Sequence, residues 1–138
     1  MPSTSDDERL VDALGQAAFT TMGTLSDLAA EAGISLTQLR VVAILRDRRL
    51  RMSDLARYLG LQRSTMSGLV TRGERRGLLR RTPNEDDARA IDVLLTPQGH
   101  ELAAKLEASL HETLRPVIET LPPGDRRTLA ELLVRMLP

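Results

Sequence analysis

MSDLARYLGLQRSTMSGLVTRGERRG, residues 52–77, holds two helical stripes with a glycine between them. In the first, Leu55, Ala56 and Leu59 fall at i, i+1 and i+4 and share one face. Gly60 ends that helix, because glycine accepts the left-handed conformation that a helix terminus needs. In the second, Met66, Leu69, Val70 and Gly73 recur at i, i+3, i+4 and i+7, a stripe to be buried. The rest of its surface carries Arg63, Ser64, Thr65, Ser67, Gly68, Thr71, Arg72 and Arg75, with Glu74 the one acid nearby. Short side chains let a helix backbone come close to another molecule. Hydroxyls bond phosphates or base edges, and arginine grips guanine with two hydrogen bonds. A helix with this surface fits a DNA major groove.

Downstream the period changes. Leu79, Arg80, Arg81 and Thr82 lead into Pro83-Asn84-Glu85-Asp86-Asp87, a run rich in turn formers. Ile91, Val93 and Leu95 then alternate with Asp92 and Leu94, the pattern of a half-buried strand. The spacing predicts a β-hairpin with a long polar tip. With these residues in view, DLARYLGLQRSTMSGLVTRGERRGLL resembles the helix-turn-helix of the MarR family, the ligand-responsive winged-helix repressors. Asp87-x-Arg89, followed by Ile91, Val93, Leu95 and Thr96, resembles that family's wing. Two matches in the right order are more specific than either alone, and the resemblance covers roughly the whole chain.

The resemblance implies that Arg89 enters the minor groove and that Asp87 orients it. The physics agrees, since a narrow minor groove concentrates negative potential and attracts a guanidinium. The plainer reading of the same two residues is a surface ion pair of little consequence. The sequence departs from the family at three positions. Gly68 stands where a long side chain is common, Gly73 where an apolar one is common, and Ala88 where a further arginine is common. Gly73 leaves the buried stripe thin, at a cost of about 1 kcal/mol relative to alanine.

Outward from this centre, Ser35-Leu36-Thr37-Gln38 has the spacing of a capping box. The helix it opens is apolar almost throughout, with Leu39, Val41, Val42, Ala43, Ile44 and Leu45, and such a helix is usually central. It runs into Arg46-Asp47-Arg48-Arg49, read as a solvated turn. Ser5-Asp6-Asp7-Glu8 is a second capping box, opening a long helix towards Gly33 that contains Gly15 and Gly23. Those two glycines are either tolerated looseness or places where another helix or a ligand comes close. On the other side, Thr96 and Pro97 make a good helix start. Leu102, Leu106, Leu110, Leu114, Val117 and Leu121 follow, and Pro116 predicts a kink near Glu112. Pro122-Pro123-Gly124 precedes a last helix with Leu129, Leu132, Leu133, Met136 and Leu137 on one side.

At 138 residues the chain suits one domain with its own core. It has no cysteine, which excludes a disulfide framework, thiol redox sensing and cysteine-based zinc binding. No apolar run approaches the ~20 residues that cross a bilayer. The start, MPSTSDDERL, is polar and acidic, so a cytoplasmic location is expected. Phe19 and Tyr58 are the only aromatics, which argues against stacking on single-stranded bases. Net charge is zero, but residues 36–96 hold thirteen arginines against seven acids, while residues 1–35 hold six acids against one base. A basic middle on an otherwise neutral chain is the footprint of a DNA-binding module. Eighteen of the nineteen basic residues are arginine; codon bias explains the choice of residue but not its placement. His100 and His111 have no partner at ligand spacing, and no phosphate-cradling glycine loop is present. Ser64 and Ser67 have no histidine near them in sequence. No catalysis, metal or cofactor is expected.

The expected fold is mainly α with a small β-hairpin, a winged helix-turn-helix within a helical dimerisation frame. Residues 1–138 form one such domain, with 35–96 as the DNA-binding lobe and 1–34 and 97–138 as dimerisation helices. The expected function is ligand-responsive repression by a homodimer on pseudo-palindromic double-stranded DNA. The resemblance implies a small aromatic or phenolic effector, for which Phe19, Met22 and Arg40 are candidates by helix order. The alternative is a winged-helix adaptor that docks on protein, and salt dependence separates the two.

Overall fold

In the computed structural model, which describes residues 4–138, the helix α2 (Leu36–Leu45) is the one around which the others pack. Val41, Val42 and Leu45 are fully buried, while Arg40 and Ala43 face outwards. Ser35 caps α2 by accepting the Gln38 N–H at 3.0 Å. The reciprocal half of the capping box is missing. Gln38 instead turns inwards and donates to the Leu69 carbonyl at 2.8 Å.

The helix-turn-helix is α3 (Met52–Leu59) followed by α4 (Arg63–Arg75). Gly60 between them takes φ +67°, and the Leu61 N–H returns to the Ala56 carbonyl. Met66, Leu69, Val70 and Gly73 are the buried residues of α4, the stripe that the periodicity predicts. Gly73 needs a correction. A Cβ there would lie 2.4 Å from Leu79 Cδ1 and 2.7 Å from Leu79 Cγ, and Leu79 is itself buried. Glycine is the residue that lets the next strand close on α4, so alanine would not be the better choice. Gly68, on the other side of α4, is open: the nearest atom to an added Cβ is an Arg72 guanidinium nitrogen at 3.7 Å. Gly68→Ala should therefore raise stability by about 1 kcal/mol, and Gly73→Ala should lower it by about 1–3 kcal/mol. Urea denaturation of the two variants checks the opposite signs.

The sheet has three strands in the order β1-β3-β2. β2 (Leu79–Pro83) and β3 (Ile91–Leu95) form the expected antiparallel hairpin, with Leu79 opposite Leu95 and Pro83 opposite Ile91. β1 (Leu50–Arg51) is an addition that the sequence pattern, at two residues, does not reveal. It pairs with β3 and makes β3 the central strand. The simple alternation fails there as a result. Ile91 at the tip end is exposed, whereas Asp92 is buried.

α1 (Thr4–Ala32) begins one residue before the Ser5 box and is ~43 Å long. Only its end, at Leu28 and Ala29, is buried, packing on α2 and α5. Among the described residues nothing lies within 4 Å of a Cβ added at Gly15 or Gly23. α5 (Pro97–Ile118) starts at the Thr96 cap, whose hydroxyl accepts the Gly99 N–H at 3.0 Å. Pro116 lies in its last turn and does not interrupt it, as the helix runs on to Ile118. α6 (Pro123–Met136) buries no residue at all. Among the described residues, no single helix is long and apolar enough to cross a membrane.

Candidate nucleic-acid interface

The outward face of α4 carries Arg63, Ser64, Thr65, Arg72 and Arg75, all exposed, and Ser67, Gly68 and Thr71, half-buried. The half-buried hydroxyls have work within the chain. Arg81 of β2 donates to the Ser67 carbonyl at 3.0 Å, the Ser67 hydroxyl at 3.1 Å and the Thr71 hydroxyl at 3.2 Å. The same guanidinium is ion-paired with Glu74. Thr71 in turn donates to the Ser67 carbonyl at 3.0 Å. Arg81 thus fastens the hairpin to α4, a role that its place in a run of turn-flanking polar residues does not announce.

Between the start of α4 and the hairpin lies a groove lined by Arg51, Arg63, Arg81 and Arg89, with Ser53 and Ser67 beside them. Four arginines from four elements or loops thus line one surface. Among the described residues the guanidinium groups of Arg63, Arg72, Arg75 and Arg89 have no hydrogen-bond or ion-pair partner, so their charge is available to another molecule.

The hairpin tip is built by side chains accepting backbone N–H groups. Asn84 Oδ1 accepts from Asp86 N and Asp87 N, each at 3.0 Å. Asp87 Oδ1 accepts from the Arg89 backbone N–H at 3.0 Å. Asp87 therefore shapes the backbone under Arg89, and there is no ion pair between the two side chains among the described residues. Behind the tip, the buried Asp92 accepts from Asn84 Nδ2 and from Arg49 Nε, both at 2.9 Å. The Asn84 hydrogen bond, followed by the Arg49 guanidinium and the charge of Arg51, holds the Asp92 carboxyl below the usual carboxylate range, against the opposing effect of burial.

The arginine cluster after α2 is more than a solvated turn. Arg46 pairs with Asp47 and with Glu107 of α5, each at 3.0 Å. Arg48 lies 5.7 Å from the centre of the Tyr58 ring, and Arg49 is taken by Asp92. Asp92 and Arg49 escape sequence reasoning because they are 43 residues apart, and only the β1–β3 pairing brings them together. The remaining signal was a charged residue in a strand of apolar ones.

A separate cavity of about 170 Å³ opens between α1, α2 and α5. Leu25, Leu28, Leu39, Val42, Ala103 and Leu106 give it apolar walls, and Arg46, Glu107 and His111 also line it. Phe19 and Met22 are exposed on α1 and Arg40 on α2, and none of the three lines this cavity.

Two helices turned through a left-handed glycine, with a hairpin clamped beside the second, define a winged helix-turn-helix protein of the kind that binds duplex DNA. The comparisons carry this further. The model of the MarR family matches residues 32–90. The chain is 28% identical over 130 residues to YfiV of Bacillus subtilis (strain 168), an uncharacterised helix-turn-helix transcriptional regulator, covering 92% of this chain and 81% of YfiV. It is 26% identical over 137 residues to the transcriptional regulator FarR of Neisseria gonorrhoeae, covering 99% and 94%. Its fold is similar to that of NadR solved in complex with 4-hydroxyphenylacetate, with a TM-score of 0.79 and 26% identity over 99% of this chain and 97% of that one. Over residues 32–90 the chain thus matches the MarR family, and along nearly its whole length it is similar to helix-turn-helix transcriptional regulators.

Proposed function

We propose that the chain represses transcription as a homodimer on a pseudo-palindromic operator and releases it on binding a small phenolic or aromatic effector. Residues 35–96 form the DNA-binding lobe, and 1–34 with 97–138 form the dimer. In this reading α4 enters the major groove. Arg63, Ser64, Thr65 and Arg72 face base edges, and Ser67, Gly68, Thr71 and Arg75 lie against the backbone or the groove wall. Arg89 enters the minor groove from a tip held by Asp87. No catalytic step is part of the proposal. The observation that carries it is that Arg51, Arg63, Arg81 and Arg89 all line the groove between α4 and the hairpin. Binding to a duplex from upstream of the protein's own gene, against a scrambled duplex, tests it. Equal affinity for both would sink the sequence-specific reading. The protein-docking alternative predicts a partner whose affinity is insensitive to salt.

The apolar faces support the dimer. Leu10, Val11, Phe19 and Met22 of α1, and Leu129, Leu132, Leu133 and Met136 of α6, are each at least 41% exposed in the single chain. Such area is more than a monomer usually leaves to water. A two-fold dimer places the two α4 helices about one DNA turn, ~34 Å, apart. Sedimentation at micromolar concentration should give about twice the mass of one chain, and a clean monomer would overturn the half-site geometry as well.

The effector reading rests on the cavity between α1, α2 and α5. Its walls suit one aromatic ring, and the lining Arg46 and His111 suit a carboxylate or a phenol. NadR, with a similar fold, was solved with a phenolic acid. Phe19, Met22 and Arg40 are exposed and lie outside the lining of that cavity.

A further inference from the structure

The tip of the hairpin is connected to the body of the lobe by an unbroken series of side-chain hydrogen bonds. Arg49, on the connection after α2, donates to Asp92 Oδ2 at 2.9 Å. Asp92 Oδ1 accepts from Asn84 Nδ2 at 2.9 Å. The opposite end of the same amide, Asn84 Oδ1, accepts the backbone N–H groups of Asp86 and Asp87, and Arg51 NH2 at 3.4 Å. Asp87 accepts the backbone N–H of Arg89. The Asn84 N–H to Ala90 carbonyl bond, at 3.0 Å, closes the loop.

The arrangement depends on which way the Asn84 amide points. A carboxylate has acceptors only and an amide has a donor end and an acceptor end. Asp92, 3% exposed at the centre of the sheet, therefore fixes the donor end of Asn84 inwards. The acceptor end is then obliged to face the tip, where two backbone N–H groups need it. Without the carboxylate the donor end of the amide loses its acceptor, and only the donors at the tip and Arg51 are left to hold the orientation that sets the tip's curvature. An ionised carboxylate buried in a small sheet costs desolvation that an apolar residue at this position would avoid. Its retention is explained if it serves the tip.

We propose that Asp92, acting through Asn84, is the positioning residue of the wing: the pair holds the loop in the one shape that presents Arg89 to DNA. Neither residue touches DNA in this scheme. The inference rests on the minor-groove reading of Arg89 and adds the device that aims it.

The test is a set of operator affinities with the full-length protein and the duplex from upstream of its own gene. Asn84→Ala and Asp92→Asn should each weaken binding by about tenfold, as Arg89→Ala does. In the Arg89→Ala background neither should weaken it further, because each acts only through that side chain. The exchange Asn84→Asp with Asp92→Asn keeps one amide facing one carboxylate, and it should recover most of the lost affinity. Asn84 is half-exposed at the hairpin, so Asn84→Ala carries the test if Asp92→Asn fails to fold. Parent-like binding by Asn84→Ala, with Arg89→Ala weakened, overturns this inference and leaves the minor-groove reading standing. Additive losses in the Arg89→Ala background, or an exchange variant that recovers nothing, overturn it as well. Parent-like binding by Arg89→Ala overturns the minor-groove reading and this inference together.

Discussion

Operator affinity should fall by about 10³–10⁵ between 50 and 200 mM salt. The guanidinium groups of Arg63, Arg72, Arg75 and Arg89 have no internal partner among the described residues, so a dimer offers eight uncompensated guanidiniums to the duplex. Each one that neutralises a phosphate releases condensed counterions, and the loss in log K per decade of salt is about 0.9 for each contact. Arg46, Arg49, Arg57 and Arg81 contribute less, because acidic side chains already neutralise them. Replacement of Arg89 by alanine should weaken operator binding by about 1–3 kcal/mol and reduce the salt slope by about one contact per protomer. The preference for major-groove bases should not change, since the minor groove mainly separates A·T from G·C. Asp87→Ala should act in the same direction more mildly, because it removes the acceptor under the Arg89 backbone and leaves the guanidinium. Affinity measured at three salt concentrations for the parent and the two variants decides the matter; a flat dependence would remove the arginines from the interface.

Gly99→Ala should cost about 3 kcal/mol, on the order of 10 °C in melting temperature. An added Cβ would lie 2.2 Å from the Leu78 carbonyl oxygen and 3.2 Å from Leu95 Cβ. The obstruction is backbone, and that backbone is pinned: the Leu78 carbonyl accepts the Thr96 N–H at 3.0 Å. Leu78 and Leu95 are both buried, so neither side can retreat into solvent. To make room, the first turn of α5 would have to lift away from the start of β2, and the Thr96 cap would loosen with it. Thermal melting of Gly99→Ala beside Gly124→Ala, where nothing lies within 4 Å of an added Cβ, is the direct check. Similar melting temperatures for the two would contradict the packing argument.

The helices were legible because their signals are local. The stripe of Met66, Leu69, Val70 and Gly73, the stop at Gly60 and the cap at Thr96 each depend on residues within a few positions of one another. The hairpin was legible from its period and its turn formers. What escaped was set by contacts distant in sequence. The two residues of β1 have no period of their own, and they acquire a strand conformation by pairing with β3. That pairing buries Asp92 against the alternation and gives Arg49 its partner. Gly73 was misjudged for the same reason. Helix propensity counts what a residue does to its own helix, whereas Leu79 arrives from the next strand and decides the position. The split of the outward face of α4 is also invisible in the sequence, since no sequence rule tells that Arg81 occupies the hydroxyls of Ser67 and Thr71 while the guanidinium groups of Arg63 and Arg72 stay free among the described residues.

Every charged residue that lines the groove between α4 and the hairpin is an arginine. A guanidinium keeps its charge at any pH a cell reaches, and the Asp92 carboxyl behind the tip is held below the usual carboxylate range. His100 and His111 both ride on α5 and line no part of that groove, and His111 lines the apolar cavity. The charge of the groove is therefore fixed, and what can vary there is where its arginines stand.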